Sequence, residues 1–203
     1  MMDAATRHRL EQQVEFLVEA DKLRTILRRT RLIHADRHEN DAEHCWYLTL
    51  MALTFAEYAP ESLDLLRTLK MLILHDLVEI DAGDTFAYDT VAVQTQRERE
   101  QRAADRLFAL LPEEQRMEFR ALWEEFEAQE TPEARFAAAL DRFGGMLPNY
   151  YNKGGTWREM QVTIERVKQR NRPIGNGSPV LWEYAEGLID DAAAKGWLPD
   201  TEE

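Results

Sequence analysis

Two imidazoles and two carboxylates, His44, His75, Asp76 and Asp141, fall where they can share one cation. His75 and Asp76 sit inside the run Leu72-Ile73-Leu74-His75-Asp76-Leu77-Val78-Glu79-Ile80, apolar on almost every side. Such a run reads as a helix buried all round rather than a surface helix. Burying charge costs several kcal/mol or more unless an ion or hydrogen bonds offset it. A divalent metal is the simplest counter-charge for a buried His-Asp pair. His44 heads the helical stripe His44, Leu48, Met51, Ala52, Phe55. One histidine there is ordinarily a satisfied core residue, unless other ligands converge on it. Asp141 shares its face with Ala134, Ala137 and Ala138, and Gly144 and Gly145 follow one turn later. A carboxylate on a stripe of small residues suits a helix that must approach a shared ion closely. A His-Asp dipeptide is weak evidence by itself; the ordered set His…His-Asp…Asp at core-facing positions is much stronger. Its nitrogen and oxygen donors suit one divalent transition metal (Mn, Fe, Co, Ni or Zn) better than Mg or Ca.

The chemistry that such a site offers is hydrolytic. A bound divalent ion lowers the pKa of water from 15.7 to about 7, supplying hydroxide at neutral pH. Glu79 lies one turn beyond the pair near the same face, placed to orient or deprotonate that water. The competing reading makes Glu79 a partner that only orients His75. The next segment, Asp81 to Asp89, is acidic and carries a glycine hinge at Gly83. Directly after a buried ligand pair, it reads as a functional loop rather than simple turn chemistry.

A chain of 203 residues is enough for one large domain or two small ones. No run approaches the ~20 apolar residues of a membrane span, and the N-terminus lacks a basic-then-apolar signal, which places the chain in the cytoplasm and off the membrane. Cys45 is the single cysteine, so neither a disulfide nor a thiolate cluster is available; it reads as a small, half-buried residue. The formal net charge of -13 argues against a nucleic acid polymer as partner. It leaves room for a small anion where cations gather, as in Lys22, Arg24, Arg28, Arg29, Arg31 and Arg37, although a solvated helix face accounts for most of these. His8, His34 and His38 have no inward face and read as solvated.

Helical punctuation recurs throughout and strand signals do not. The first helix is expected over His8–Arg28, with Leu10, Val14, Phe16, Leu17 and Leu23 inward. Asn40 and Glu43 form a capping box that opens a second helix to about Tyr58. A third runs from Glu61 to Ile80. Two more follow from Val93 to Leu110, with Ala103, Leu107 and Phe108 inward, and from Pro112 to Gln129, with Met117, Leu122 and Phe126 inward. Thr131-Pro132 caps the helix that carries Asp141. Thr156 and Glu159 make a further capping box for a helix to Gln169, residues 171–177 form a loop, and Ser178-Pro179 opens the last helix. The final four residues are expected to fray. The sum is one all-α domain over residues 1–203, a helical bundle of roughly eight helices around one metal site.

The segments Arg37-His38-Glu39-Asn40-Asp41-Ala42-Glu43-His44-Cys45-Trp46, His75-Asp76-Leu77-Val78-Glu79-Ile80-Asp81-Ala82-Gly83-Asp84 and Leu140-Asp141-Arg142 resemble the HD-domain superfamily of metal-dependent phosphohydrolases. Glu43-His44 before Trp46, and His-Asp-x-x-Glu with Gly-Asp soon after, look like its 5′-deoxynucleotidase branch. The resemblance runs from about Asp21 to the last helix. It implies a helical bundle around one metal, with His44, His75, Asp76 and Asp141 matching the ligands, and Glu79 and Asp84 matching the acids that act on water and phosphate. Arg29 stands at the spacing of a phosphate-binding arginine. Thr30 follows it, where the branch commonly carries an aromatic residue that contacts the sugar. Asp84 would hold a second water or protonate the leaving alkoxide, and Arg29 would grip the phosphate by charge-assisted hydrogen bonds.

The expected activity is a phosphomonoesterase acting on nucleoside 5′-monophosphates or a similar small phosphate ester, in a homodimer. The alternatives are a phosphatase for a non-nucleotide metabolite, suggested by Thr30 and the Gly144–Gly145 pair, and a non-catalytic metal-stapled module that senses a nucleotide. Retention of Glu79 and Asp84 beside four ligands argues against the last, since a structural site needs neither.

Overall fold

Asp3 accepts from the Thr6 N–H and starts α1 (Ala4–Ala20), which stops well short of Arg28. The chain tightens into a 3₁₀ turn over Asp21–Thr25 and then extends as β1 (Leu27–Arg31). This strand pairs antiparallel with β2 (His38–Asn40), Leu27 opposite Asn40 and Arg31 opposite His38. The sequence reading missed both strands, because three to five residues dominated by arginine show no apolar alternation to detect. Leu10, Val14 and Leu17 are exposed rather than inward. Phe16 docks α1 to the body, its ring meeting Phe119 edge-on at 5.9 Å. In this computed structural model the described residues are 1–60, 63–86, 88, 89, 91 and 93–199.

The Asn40–Glu43 capping box forms in both directions and opens α2 (Asp41–Thr54). His44, Leu48, Met51 and Ala52 are buried along it, as the stripe requires. Asp64 caps α3 (Leu65–Leu74); the expected start at Glu61 lies outside the described residues. The third helix does not run unbroken to Ile80. It tightens to 3₁₀ geometry over His75–Val78, resumes for one turn as α4 (Glu79–Ala82), and ends where Gly83 takes φ of 74°. In a 3₁₀ segment residues three apart stack in line, so Asp76 and Glu79 project toward one side.

Next come α5 (Val93–Phe108) and α6 (Glu113–Ala128). Leu122, Trp123 and Phe126 are buried on α6, whereas Met117 faces out. Thr131 caps α7 (Pro132–Tyr151), which forms the spine of the core with Ala134, Phe136, Ala137, Ala138, Leu140 and Phe143 buried. The expected Thr156–Glu159 capping box does not form. Gly154 instead precedes the short α8 (Gly155–Glu159), and Thr163 caps α9 (Ile164–Asn171). Thr156 is used otherwise: its N–H donates to Asn149 Oδ1 at 2.8 Å and its hydroxyl to the Arg29 carbonyl at 3.2 Å. The expected loop over residues 171–177 contains one further turn, α10 (Ile174–Gly177), before Ser178 caps α11 (Pro179–Ala194). A Cβ on Gly177 would stand 2.3 Å from the Arg135 carbonyl, so only glycine lets α10 lie against α7. The expected fraying of residues 200–203 falls outside the described residues. No helix among the described residues is long and apolar enough to cross a membrane.

Among the described residues the architecture is all-α apart from the ribbon, and the helices of eight residues or more are α1, α2, α3, α5, α6, α7, α9 and α11. The number matches the roughly eight expected.

Candidate metal centre and substrate cavity

Helices α2 and α7 touch at Gly144. A Cβ there would meet Leu48 Cδ2 at 2.5 Å and His44 Cε1 at 3.6 Å. The missing side chain lets Asp141, one turn earlier on α7, bring Oδ1 to 3.0 Å from His44 Nε2. The His44 ring is fully buried, and its Nδ1 faces Glu39 Oε2 at 3.3 Å. Burial and Arg28 oppose a charge on this imidazole, but the flanking Asp141 and Glu39 carboxylates outweigh them and lift its pKa to about 9. Burial also works against the Asp141 carboxylate, yet His44, His75 and Arg28 hold it far below the usual carboxylate range.

His75 approaches from the 3₁₀ turn. Its Nδ1–H donates to the Leu72 carbonyl at 3.0 Å, which fixes the tautomer and leaves Nε2 with a free lone pair. That Nε2 is buried without a hydrogen-bond partner and lies 3.1 Å from Asp76 Oδ1. Donor atoms of His44, His75 and Asp141 lie within 4.8 Å of one another. Asp76 joins through His75, while its Oδ2 accepts from Arg28 Nη1 at 2.9 Å. An orphaned imidazole nitrogen amid carboxylates is what a divalent transition metal would satisfy, so the residues fit such an ion.

Beside this group lies a second one, Asp41, Glu79 and Asp84, with oxygens also within 4.8 Å of one another. Asp41 is fully buried, and burial with the Asp76 charge lifts its pKa to about 7. Burial, then Asp76 and Asp41, push Glu79 well above the usual range, and burial also raises Asp84. Arg28 threads among these acids: Nη1 lies 3.3 Å from Asp41 and 4.0 Å from Asp84, and Nε 3.9 Å from Glu39. Burial disfavours its charge, but Asp76, Glu79, Asp84 and Asp141 hold its pKa well above normal. A cavity of about 270 Å³ opens onto both groups and is lined by His75, Asp76, Glu79, Asp84 and Asp141.

The profile of the HD domain family matches residues 20–182. The chain belongs to the HD domain family. A crystal structure described as a predicted metal-dependent phosphohydrolase from Magnetospirillum magnetotacticum MS-1 is 48% identical, covers 98% of this chain and 99% of its own, and superposes with a TM-score of 0.92. The human 5′-deoxynucleotidase HDDC2 is 30% identical over 109 residues, 54% of this chain and 52% of that protein. The chain thus spans about half the length of the vertebrate relatives it matches. A 5′-deoxynucleotidase of Schizosaccharomyces pombe is 26% identical over 192 residues, 92% of this chain and 87% of its own length.

In this HD domain the residues singled out from the sequence come together. His75, Asp76, Glu79, Asp84 and Asp141 line the cavity, and His44, fully buried, meets His75 and Asp141. Arg29 is exposed and also lines the cavity; its carbonyl accepts from the His38 ring at 3.1 Å. Strand alternation sends Arg28 inward beside it. Sequence reasoning had put Arg28 at the end of a solvated helix, and it is the most charge-entangled cation of the site. Glu39 and Asp41 were missed as well. Buried acids flanking an N-cap were the available signal, but their burial follows from the ribbon, which the sequence did not announce. Cys45 is fully rather than half-buried, its Sγ 3.9 Å from His75 Nδ1.

Proposed function

We propose that this HD domain is a metal-dependent phosphomonoesterase that releases phosphate from nucleoside 5′-monophosphates or a similarly small phosphate ester. One observation carries the reading: the unpartnered, buried His75 Nε2 stands among carboxylates at the wall of a cavity with room for a small ester. His44, His75, Asp76 and Asp141 would hold one divalent transition metal, and bound there it would supply an acidified water and neutralise a phosphate oxygen. Glu79, its carboxyl raised by burial and neighbouring acids, takes the proton from the attacking water. Asp84, 4.0 Å from Arg28, returns a proton to the leaving alkoxide; burial raises its pKa and so favours the protonated form that a general acid needs. Arg29 receives the phosphate at the cavity mouth. Arg28 holds Asp76 and Asp84 in place and keeps the acidic wall from repelling an anion. The named 5′-deoxynucleotidase relatives support a nucleotide substrate.

The same reading takes residues 1–203 as one domain in a cytoplasmic homodimer. The exposed Trp46, Leu50 and Leu53 along α2 offer an apolar stripe for a second copy. A non-nucleotide ester remains the second reading, favoured by Thr30 and Gly145 on the cavity wall. The test is chelator-stripped protein reloaded singly with Mn, Co, Ni, Zn or Fe(II), its metal content measured, then assayed on nucleotides and sugar phosphates. Turnover confined to sugar phosphates would sink the nucleotide version, and two ions per chain would sink the mononuclear centre.

A further inference from the structure

Arg142 follows Asp141 on α7, Arg170 sits near the end of α9, and both line the same cavity as the metal-centre residues. The half-buried Arg28 and Arg120 meet Asp76 and Asp105; Arg142, also half-buried, and the exposed Arg170 do not. Among the described residues neither makes an ion pair within 4.0 Å, and Arg142 donates from Nη1 only to the Ala138 carbonyl at 3.0 Å. Its Nε is buried with no partner at all. Glu100 and Glu127 line the cavity too, from α5 and α6, but neither comes within ion-pair distance of the arginines. Two cations lining one cavity without a carboxylate within ion-pair distance, one of them with an orphaned guanidinium N–H, ask for an anion from outside. On that flank the wall is open: a Cβ on Gly145 would meet nothing within 4 Å.

We propose that Arg142 and Arg170 form a second anion subsite, so that the preferred ester carries, besides the scissile phosphate, a further oxyanion at its other end. The inference rests on the phosphomonoesterase reading and narrows its substrate class to doubly anionic esters. A second phosphate and a carboxylate share this chemistry, and two matched pairs of compounds separate them. The first is 2′-deoxyadenosine 3′,5′-bisphosphate against 2′-deoxyadenosine 5′-monophosphate; the second is O-phosphoserine against phosphoethanolamine. In metal-loaded wild-type protein, kcat/KM for the doubly anionic member of at least one pair is expected to exceed its partner's about tenfold, the scale of a hydrogen bond to a charged group. The difference should sit in KM. Arg170→Gln and Arg142→Gln should bring that ratio to near one, and Arg170→Lys should keep most of it. Arg170 is exposed, so its variants test the subsite without a folding penalty. Calorimetric titration of the four compounds reads the same ratios as affinities, even in protein that turns nothing over. Absence of turnover with the affinity ratio intact would sink the esterase reading and keep the subsite. Ratios near one in wild type for both pairs, or ratios unchanged in both glutamine variants, would overturn the subsite.

Discussion

Replacing Arg28 with methionine removes a guanidinium that lies within 4.0 Å of Glu39, Asp41, Asp76 and Asp84. At an effective dielectric of about 20, a unit-charge pair at 4 Å is worth about 4 kcal/mol, most of it consumed by desolvating the guanidinium. Taking away one partner of a buried pair costs about 3–5 kcal/mol, because the other charge is stranded. Here several carboxylates are stranded together, so the upper end applies, against a total stability of about 5–15 kcal/mol for an ordinary domain. The deficit must depend on pH. Even with Arg28 present, burial lifts Asp41 to about 7 and Glu79 well above its usual value. Losing the cation raises both further. An acid whose folded pKa exceeds its unfolded value of about 4 binds a proton on folding, so its contribution is intact below the unfolded pKa and is lost as pH climbs through the folded one. The methionine variant should therefore approach wild-type stability near pH 5 and fall away from pH 6 to 8. Urea unfolding in chelator at pH 5.5 and 8 measures this, with a deficit at least about 2 kcal/mol larger at pH 8. Equal deficits at the two pH values would refute the electrostatic account of Arg28.

Three further outcomes follow from the geometry. Glu79→Ala should keep the fold and one metal per chain yet lose most hydrolysis, on the order of 10²–10⁴ in kcat; full activity would remove Glu79 from its role. Since His44 holds a proton up to about pH 9, metal uptake must displace it. Competition against a chromogenic chelator between pH 6 and 8.5 should then show affinity rising about tenfold per pH unit, and a flat profile would exclude His44 as a ligand. The neighbouring glycines should differ in sign. Gly145→Ala meets open space and should stabilise by about 0.5–1 kcal/mol through helix propensity. Gly144→Ala collides with the fully buried Leu48, and overpacking of about 1–3 kcal/mol should outweigh that gain and weaken metal binding. Thermal unfolding of the two variants side by side decides between them.

His44 and Asp141 were legible because each lies in a long helix whose apolar period declares its inward face, and His75-Asp76 because a buried ionisable pair stands out in an apolar run. His44 on α2 and Asp141 on α7 needed only a stripe and a cap to be placed. Arg28 was illegible for the opposite reason. Its inward aim depends on a five-residue strand whose partner begins only at His38, and a run of arginines there reads equally well as a wet helix face. Glu39 and Asp41 inherit the same blindness, since they are buried only because β2 lies against β1. The break of α3 into 3₁₀ geometry at His75 was hidden as well: the composition of Leu72–Ile80 favours a continuous helix, and the turn is tightened by tertiary contacts. For Arg142 the residue was visible, but its lack of a carboxylate partner is a property of the packed molecule alone.

The hydrogen bond between His44 and Asp141 closes a gap of 97 positions along the chain. During synthesis the ribosome delivers α2 and α3 long before α7, so an emerging chain presents two histidines and an aspartate with no fourth donor to close the coordination sphere. On the proposed ligand set, ion capture with native affinity would wait for α7 to dock, so the fold would be complete before the ion is held. The ion acquired would then be set by the free metal pool at that moment rather than by the order in which the donors were made.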